Sequence, residues 1–326
     1  MEMNKEKWLC KTEIAYKVGA LLYSPAIYKD VVEKIAKSCD VKSVAFCLED
    51  AIAEDALLQA ETTLKETLQT IKSNPYKNFP MIFIRVRSPK HLQHVHQWNL
   101  GETDVIAGYI LPKFDLSNAE EYKALFFKIN ENRAKPLYFM PILESGVIAC
   151  KNTRYEQLYG IKAILDEVSQ YVLNVRVGGN DFCNLFGLRR NVKQTIYDVG
   201  VVRDILIDIL NVFAQDYVVS GPVWEYFGKD EDGEWLKGLK KELALDRLNG
   251  FIGKTCIHPQ QVSVVQESLM VSKQDYQDAL AILNWSEDEL GVCASADHSR
   301  MNEVKCHVNW AKKISMLGKI YGVKEL

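Results

Sequence analysis

Charged side chains recur in this 326-residue chain at the points where short apolar segments end. Glu49-Asp50 follow residues 43–48, Arg85 and Arg87 lie within 81–87, Lys113 follows 105–112, Glu144 follows 136–143, and Asp181 follows 172–179. Carboxylates that face one another repel unless a cation lies between them. Two carboxylates, with room left for waters and substrate oxygens, are a common way of binding Mg²⁺. The pattern is therefore compatible with a divalent-metal site beside a cation that binds an anionic substrate, although spacing alone does not favour a metal over ion pairs within the protein.

Glu144 and Asp181 are the best candidates for the metal ligands. The alternative from spacing alone is a salt bridge to Arg85 or Lys113, or a carboxylate that caps the next helix. Arg85 is planar, always charged and able to bind a carboxylate or enolate oxygen through two hydrogen bonds. Arg87 has the same strand parity as Arg85, so one of the two could extend beyond the strand end.

Glu49 and Asp50 are the next candidate acids, and either could hold a metal-bound water or orient Arg85. Asp50 could instead cap a helix, because the helix-like segment AIAEDALL follows it. From their places at strand ends, we expect Lys113, Gly179, Asn180 and Pro222 to bind the substrate together with Arg85.

The histidines at 91, 94 and 96 have the spacing HxxHxH. A helix does not bring all three to one face, so we favour a solvated helix surface over a zinc site. His258 precedes Pro259 on an extended segment, where structural hydrogen bonding is the favoured role and general-base catalysis the alternative.

Eight short apolar segments alternate with amphipathic helical patterns. The predicted strands are residues 18–23, 43–48, 81–87, 105–112, 136–143, 172–179, 217–219 and 250–257. The predicted helices are residues 28–38, 54–72, 91–98, 118–130, 155–170, 195–214, 233–248 and 261–269. Continuous apolar strands are typical of parallel sheets covered by helices on both faces.

Eight such units predict an α/β fold of the TIM (β/α)8-barrel type. A doubly wound open sheet, the rival fold, favours a glycine-rich turn after the first strand, and the turn YSPAIY contains no glycine. We therefore predict a barrel over residues 1–270 and extra C-terminal helices over 271–326, as a lid or a subunit-exchange segment.

The composition fits a cytoplasmic protein. A net charge of −3 offers no basic field for nucleic acid or an anionic membrane, and no apolar run reaches the length of a membrane span. The polar N-terminus does not resemble a signal peptide. The eight cysteines include no CxxC pair, which favours scattered buried thiols over a zinc site, a disulfide framework or a cysteine nucleophile.

The strand-end segments, in this order, resemble those of the HpcH/HpaI aldolase and citrate lyase beta-subunit family. The matching segments are LYSPA (22–26), CLEDAI (47–52), FIRVRS (83–88), ILPKF (110–114), PILES (141–145), VGGNDF (177–182) and GFIGKTCIHPQQV (250–262), of which the last is the most specific. The resemblance extends over residues 18–314. It also includes SGPVWEYFGKDEDG (220–233), which is similar to a stretch of malyl-CoA lyases and malate synthases.

The resemblance implies a carbon–carbon bond lyase or aldolase that uses Mg²⁺, or Mn²⁺ in its place, on a small oxo-acid-derived substrate. Glu144 and Asp181 match the family's metal ligands, and Arg85 matches its substrate-binding arginine. In relatives with a C-terminal lid, an acid often comes from a neighbouring subunit, and Glu303 is the matching residue here. The family further implies a homo-oligomer, either a trimer or a hexamer.

Three departures put the substrate in doubt. Cys47, Arg87 and Ser220 stand where the family has Asp, Asn and Asp. Such drift resembles a divergent branch of C–C bond lyases found in tellurite-resistance and other stress gene clusters. An acyl-CoA lyase or synthase of the malyl-CoA or citramalyl-CoA type is the second hypothesis, and a barrel that lost catalysis and serves as a scaffold is the third.

Overall fold

The computed structural model describes residues 11–29, 41–73, 79–99, 101, 104–230, 233–285, 291–295 and 299–325. The helix predicted at residues 28–38 lies almost wholly outside these ranges. The described residues divide into two compact units, one within residues 1–265 and the other within residues 266–326.

Eight parallel strands form the core of the first unit. They are β1 (Ala20–Pro25), β2 (Ser43–Cys47), β3 (Met81–Arg85), β4 (Gly108–Leu111), β5 (Tyr138–Leu143), β6 (Asn174–Val177), β7 (Val218–Ser220) and β8 (Lys254–Cys256). Each strand from β1 to β6 pairs with the next, and β1 also pairs with β8. A parallel bridge between Gly221 and Lys254 joins β7 to β8 and closes the barrel. The predicted TIM barrel is confirmed. All eight strands overlap their predicted segments, although β1 extends two residues and β7 one residue beyond the predicted end.

Helices follow the strands as the apolar patterns predict. Those of the first unit are α1 (Leu57–Ser73), α2 (Pro89–Trp98), α3 (Ala119–Asn130), α4 (Gly146–Ala149), α5 (Arg154–Glu167), α6 (Gly179–Leu185), α7 (Gly200–Phe213) and α8 (Glu234–Asn249). The next helix, α9 (Pro259–Leu269), begins in the first unit and ends in the second. Residues 11–18 are also helical.

The predicted helix at 195–214 is wrong at its start. Thr195 and Asp198 form a capping box around a single 3-10 turn, and α7 begins only at Gly200. The short helix α6 was not predicted, because its sequence GNDFCNL has little helical periodicity.

Alternation along the strands builds two apolar layers. Leu21, Ala45, Phe83, Ile110 and Met140 pack together inside the barrel. Their strand neighbours, among them Val44, Ile82, Tyr109 and Phe139, pack outward in the larger cluster that includes helix residues such as Leu64 and Leu158. A side chain that points inward near the end of a strand therefore reaches the mouth of the barrel.

The second unit holds α10 (Lys273–Leu283), α11 (Val304–Tyr321), and the short strands β9 (Val271–Ser272), β10 (Val292–Ala294), β11 (Met301–Glu303) and β12 (Val323–Lys324). β10 pairs with β11 antiparallel, and β9 pairs with β12 parallel. Arg300 binds Asp275 at 2.9 Å and Asp278 at 2.6 Å. Whether this unit is a lid or a subunit-exchange segment stays a prediction. Within the described ranges, every helix is too short or too polar to cross a membrane.

Candidate active site

A cavity of about 180 Å³ lies at the carboxyl ends of the barrel strands. Its polar lining comprises Tyr23, Asp50, Arg85, Glu144, Arg176, Asn180, Asp181 and Thr255, and glycines 178 and 179 also line it. Six of the residues predicted from the sequence thus face one space: Asp50, Arg85, Glu144, Gly179, Asn180 and Asp181.

Glu144 follows β5 and is almost fully buried, with 5% of the residue exposed. Its Oε1 accepts a hydrogen bond from the backbone N–H of Lys113 at 2.9 Å and lies 3.4 Å from Arg85 Nη2. Burial is the main cause that raises the pKa of Glu144 to about 8; the neighbouring Asp181 and Glu49 act in the same direction, and Arg85 and the Lys113 N–H oppose them. A second positive charge near Glu144 would thus be strongly favourable.

Asp181, in the first turn of α6, is the other member of the predicted metal pair. Burial and the charge of Asp50 raise its pKa, whereas Arg85 and a hydrogen bond with Glu144 lower it. When two adjacent carboxyls both have raised pKa values, binding of a proton or a metal cation stabilises the pair.

The donor set fits a hard divalent cation. Among the described residues, no three His, Cys, Asp or Glu side chains gather as a ready-made metal cage. Two carboxylates in a polar cavity match Mg²⁺, which keeps several waters and accepts oxygens from the substrate. The salt bridge from Glu144 to Arg85, the alternative considered from the sequence, is also present, but only at 3.4 Å.

Arg85 is the cation at the centre of the acidic cluster. Its Nη2 lies 2.8 Å from Glu49 and 3.0 Å from Asp50, and its side chain is 9% exposed. Its Nε has no hydrogen-bond partner within the part of the chain that the structure describes. Asp50 is therefore an ion-pair partner of Arg85, and its alternative role as a helix N-cap is wrong, because Ala53 precedes the first helical turn.

Burial raises the pKa of Asp50. The charges of Arg85 and Lys113, together with a hydrogen bond with Glu49, outweigh this effect, so the pKa lies below the ordinary value. Asp50 is half-exposed, with 53% of its side chain accessible. It is thus a deprotonated carboxylate that a substrate can reach.

Glu49 and Lys113 support this cluster from outside the cavity lining. Lys113 Nζ donates to Glu49 Oε1 at 3.0 Å. Lys113 has a φ of 50°, a left-handed conformation that non-glycine residues rarely adopt. That conformation directs its N–H to Glu144, so local strain is linked to the position of a candidate metal ligand. A direct contact of Lys113 with substrate stays a prediction.

Glycines 178 and 179 allow a close approach at the end of β6. A Cβ on Gly178 would lie 2.2 Å from Glu144 Oε2, and one on Gly179 would lie 2.7 Å from Pro222 Cβ. The GG pair therefore makes room for Glu144 and for the segment after β7. Pro222 packs behind Gly179, and its predicted role in substrate binding is untested.

Arg87 extends past the end of β3, as its parity with Arg85 allowed. Its Nε donates to the Leu48 carbonyl at 2.7 Å, its Nη2 donates to the Ile52 carbonyl at 2.6 Å, and its Nη1 pairs with Glu54. Arg87 thus fixes the loop that carries Glu49 and Asp50.

The three histidines at 91, 94 and 96 do not converge on one point. His91 and His94 lie 2.8 and 3.0 Å from the two oxygens of Glu61, and His96 lies 3.1 Å from the Tyr109 hydroxyl. Only His94 fits the predicted solvated surface, because His91 is 9% exposed and His96 is half-buried.

The most specific sequence segment, GFIGKTCIHPQQV, is largely structural. Lys254 is buried and pairs with Glu242 at 2.9 Å and Asp246 at 2.7 Å on α8. Gln261 accepts from the N–H groups of Ile257 and His258 and donates to the carbonyls of Trp224 and Tyr226. His258 stacks on Phe227, and its Nδ1 accepts from the Gln260 N–H at 3.3 Å, in accord with the structural role we favoured.

Arg176 and its neighbours Tyr23 and Thr255 were not predicted. Arg176 lies in β6, is 1% exposed, and donates through Nη2 to Thr255 Oγ1 at 2.7 Å. Burial lowers its pKa, and Tyr23 opposes the shift. The available signal was the alternation N-V-R-V, which places Asn174 and Arg176 on the same inward face of an otherwise apolar strand.

Glu303 lies on β11 in the second unit, where its N–H donates to His307 Nδ1 at 2.9 Å. Its catalytic role, inferred from the family resemblance, stays a prediction. A larger cleft of about 460 Å³ opens between α4, α6 and α7. Its buried Arg154 is already bound to Asp208 at 2.6 Å, so the smaller cavity with its carboxylates is the candidate site.

A family described as C–C bond lyase of the TIM-barrel fold matches residues 12–323 of the chain. Relatives include a (3S)-malyl-CoA thioesterase of Cereibacter sphaeroides, 24% identical over 256 residues, with 77% of this chain and 76% of the relative covered. The mitochondrial citramalyl-CoA lyase of Homo sapiens is 24% identical over 296 residues, with 87% and 77% covered.

Among solved structures, CitE of Mycobacterium tuberculosis in complex with magnesium, acetoacetate and coenzyme A is similar, with a TM-score of 0.62 and 19% identity. That comparison covers 92% of this chain and 98% of CitE. RipC of Yersinia pestis has a TM-score of 0.53 and 16% identity, with 78% and 95% covered. At these identities the likeness establishes the shared fold.

Proposed function

The chain belongs to the C–C bond lyase family of the TIM-barrel fold, and we propose that it is a Mg²⁺-dependent lyase that cleaves or forms a carbon–carbon bond in a small oxo-acid-derived substrate. The observation that carries this proposal is the convergence of Glu144, Asp181 and Arg85 on one cavity. Relatives with magnesium in their crystals support the choice of metal. Mn²⁺ in place of Mg²⁺ stays an untested alternative.

Glu144 and Asp181 are the residues that would hold the metal. When bound, Mg²⁺ would supply Lewis-acid stabilisation of negative charge on the oxygens of the oxo acid. Arg85 lies beside the pair, so it can bind the carboxylate of the substrate or an enolate oxygen.

Cleavage of a 3-hydroxy acid requires loss of the hydroxyl proton while the carbon–carbon electron pair moves into an enolate. We take Asp50 as the acceptor of that proton, because it is accessible to substrate and its lowered pKa keeps it deprotonated. Glu49 forms ion pairs with both Arg85 and Lys113, and these contacts orient the Arg85 guanidinium. Glu303 remains a second candidate acid on the strength of the family resemblance.

The test of the metal site is a thermal unfolding series with Mg²⁺ together with pyruvate, oxaloacetate or glyoxylate. A ligand at 100 times its Kd stabilises the folded state by about 2.7 kcal/mol, which raises the Tm by several degrees in a protein of this size. We expect this rise for the wild type and its loss in Glu144→Ala and Asp181→Asn. Glu120→Gln, which removes an exposed carboxylate on α3, is the matched control and should keep the shift.

No shift for the wild type, or an equal shift in Glu144→Ala, would overturn the metal assignment. Metal binding without turnover of any tested oxo or hydroxy acid would instead favour the third hypothesis, a barrel that acts as a scaffold.

An acyl-CoA lyase or synthase is the second candidate, because the two named relatives act on malyl-CoA and citramalyl-CoA. It requires binding of an acyl-CoA, which a calorimetric screen of malyl-CoA, citramalyl-CoA and acetyl-CoA would detect. Absence of binding to all three would remove this candidate and leave the free acids.

Four finer expectations accompany the proposal as untested predictions. They are a place in the branch found in tellurite-resistance and stress gene clusters, a trimeric or hexameric state, a cytoplasmic location, and no nucleic-acid or membrane partner. Analytical ultracentrifugation would test the oligomeric state directly.

A further inference from the structure

Arg176 is a buried cation that has no ion-pair partner among the described residues. It makes no ion pair with any carboxylate in the described ranges, whereas Arg85, on the same cavity, is surrounded by Glu49, Asp50 and Glu144. Two of the three Arg176 side-chain nitrogens, Nε and Nη1, are buried without a hydrogen-bond partner among the described residues. Burying an unpaired charge costs several kcal/mol, so such groups usually meet a counter-ion.

The surroundings of Arg176 hold it at the wall of the cavity. Thr255 on β8 accepts from its Nη2 at 2.7 Å, and the partly buried Tyr23 on β1 lies beside it. Tyr23 is flanked by both arginines, since the Arg85 guanidinium carbon lies 5.8 Å from its ring centroid. Two guanidinium groups that lie near the same tyrosine ring repel each other, and an anion bound in the cavity would relieve that repulsion.

We propose that Arg176 binds a second carboxylate of the substrate, so that the substrate class is a small oxo- or hydroxy-dicarboxylic acid. The first carboxylate and the oxo or hydroxyl oxygen would lie at Glu144, Asp181 and Arg85, and this placement rests on the proposed function. The volume of about 180 Å³ suits an acid of four or five carbons. Arg176 is thus a specificity-determining residue of the same cavity.

The experiment compares pairs of ligands that differ by one carboxylate. Calorimetry with Mg²⁺ present would measure Kd for pyruvate against oxaloacetate and for 2-oxobutyrate against 2-oxoglutarate. Because a charge-assisted hydrogen bond in a buried site is worth about 10- to 100-fold in affinity, the wild type should prefer the diacid of at least one pair by that factor. Equal affinities within both pairs would overturn the proposal whatever the variants do.

Variants of Arg176 then assign the preference. We expect Arg176→Gln to lose it while the Kd values of the monoacids change by less than about 2-fold, and Arg176→Lys to keep part of it. Arg189→Gln, which removes an exposed arginine paired with Glu225, is the matched control and should keep the full preference. A diacid preference that survives in Arg176→Gln would contradict the assignment. If Arg176→Gln fails to fold, the proposal is still tested by the ratio of monoacid Kd to diacid Kd in the wild type and by the change of that ratio in Arg176→Lys.

Two further arms separate this inference from the proposed function. Malonate and succinate against acetate, without metal, test the arginine alone, and the diacids should bind more tightly to the wild type than to Arg176→Gln. If inorganic phosphate competes as well as the diacid does, the cavity is a general anion site and the dicarboxylate assignment is overturned.

The results also separate this inference from the proposed function. A diacid preference with no lyase turnover would refute the proposed function only. Turnover of a monoacid with no diacid preference would refute this inference only.

Discussion

Single side chains decide how the acidic cluster around Arg85 is balanced. Glu49, Asp50 and Glu144 all lie within 3.4 Å of one guanidinium nitrogen. Arg85 and Lys113 therefore offset much of the negative charge that the sequence places at the mouth of the barrel. Glu144 is still the carboxyl that is least favourable as an anion, because burial dominates its environment.

Gly178→Ala is predicted to displace Glu144. The Cβ of the new alanine would lie 2.2 Å from Glu144 Oε2 and 2.3 Å from Glu144 Cβ. We expect a loss of Mg²⁺ affinity of at least about 10-fold, because a misplaced ligand loses most of its coordination energy. Calorimetry with Mg²⁺ measures it. Gly200→Ala, where nothing lies closer than 4.0 Å, is the control, and equal affinities in the two variants would refute the prediction.

The loop after β2 and the helix α2 depend on each other through Arg87 and His91. The Arg87 side chain holds two carbonyls of the loop, and its backbone N–H donates to His91 Nδ1 at 3.0 Å. His91 Nε2 lies 2.8 Å from Glu61 on α1. Since Nδ1 is an acceptor, the neutral imidazole carries its proton on Nε2 and donates to Glu61.

The free energy of unfolding of Arg87→Gln should be lower than that of the wild type by about 1–3 kcal/mol, because two hydrogen bonds from a charged donor to backbone carbonyls are lost. Urea denaturation measures the free energy of unfolding. Substrate affinity should fall as well, since Glu49 and Asp50 lie on the released loop. Arg203→Gln, an exposed arginine on α7, should change neither quantity.

Acid is predicted to weaken the contact of α2 with α1. Burial lowers the pKa of His91, so below pH of about 6.5 the unfolded chain binds a proton that the folded protein resists. The contribution of His91 to stability is complete above the pKa of the unfolded state, and it is lost as the pH falls from that value to the lower pKa of the folded state. His91→Gln should show a smaller loss of unfolding free energy between pH 7.5 and 5.5 than the wild type. An identical loss in both proteins would contradict the assignment.

Closure of the barrel rests on a buried ionic network between β8 and α8. Lys254 binds Glu242 and Asp246, Arg190 lies 3.5 Å from Glu242, and the Tyr197 hydroxyl donates to Asp246 at 2.8 Å. Gly253, before Lys254, has a φ of 74°, and a Cβ there would lie 2.2 Å from the Gly19 carbonyl oxygen. The GK pair thus joins the last strand to the first and to its covering helix.

Lys254→Met should destabilise the protein by about 3–5 kcal/mol, because Glu242 and Asp246 would stay buried without their cation. Addition of Asp246→Asn should recover part of that loss, since it restores the balance of charge. Denaturant unfolding of the two single variants and the double variant measures the coupling. Strict additivity of the two losses would show that the network is not a unit.

The sequence by itself determined the barrel, because eight apolar strands at regular intervals have one simple way of burying both faces. It also placed Asp50, Arg85, Glu144 and Asp181 at one mouth, since the ends of parallel strands must meet there. Only the tertiary structure decided which charges are paired. Arg87 turns away to backbone carbonyls, Lys254 points outward to α8, and Arg176 points inward with no carboxylate beside it among the described residues. Strand parity gives the direction of a side chain, but its partners come from elements distant in sequence, and their charges decide its role.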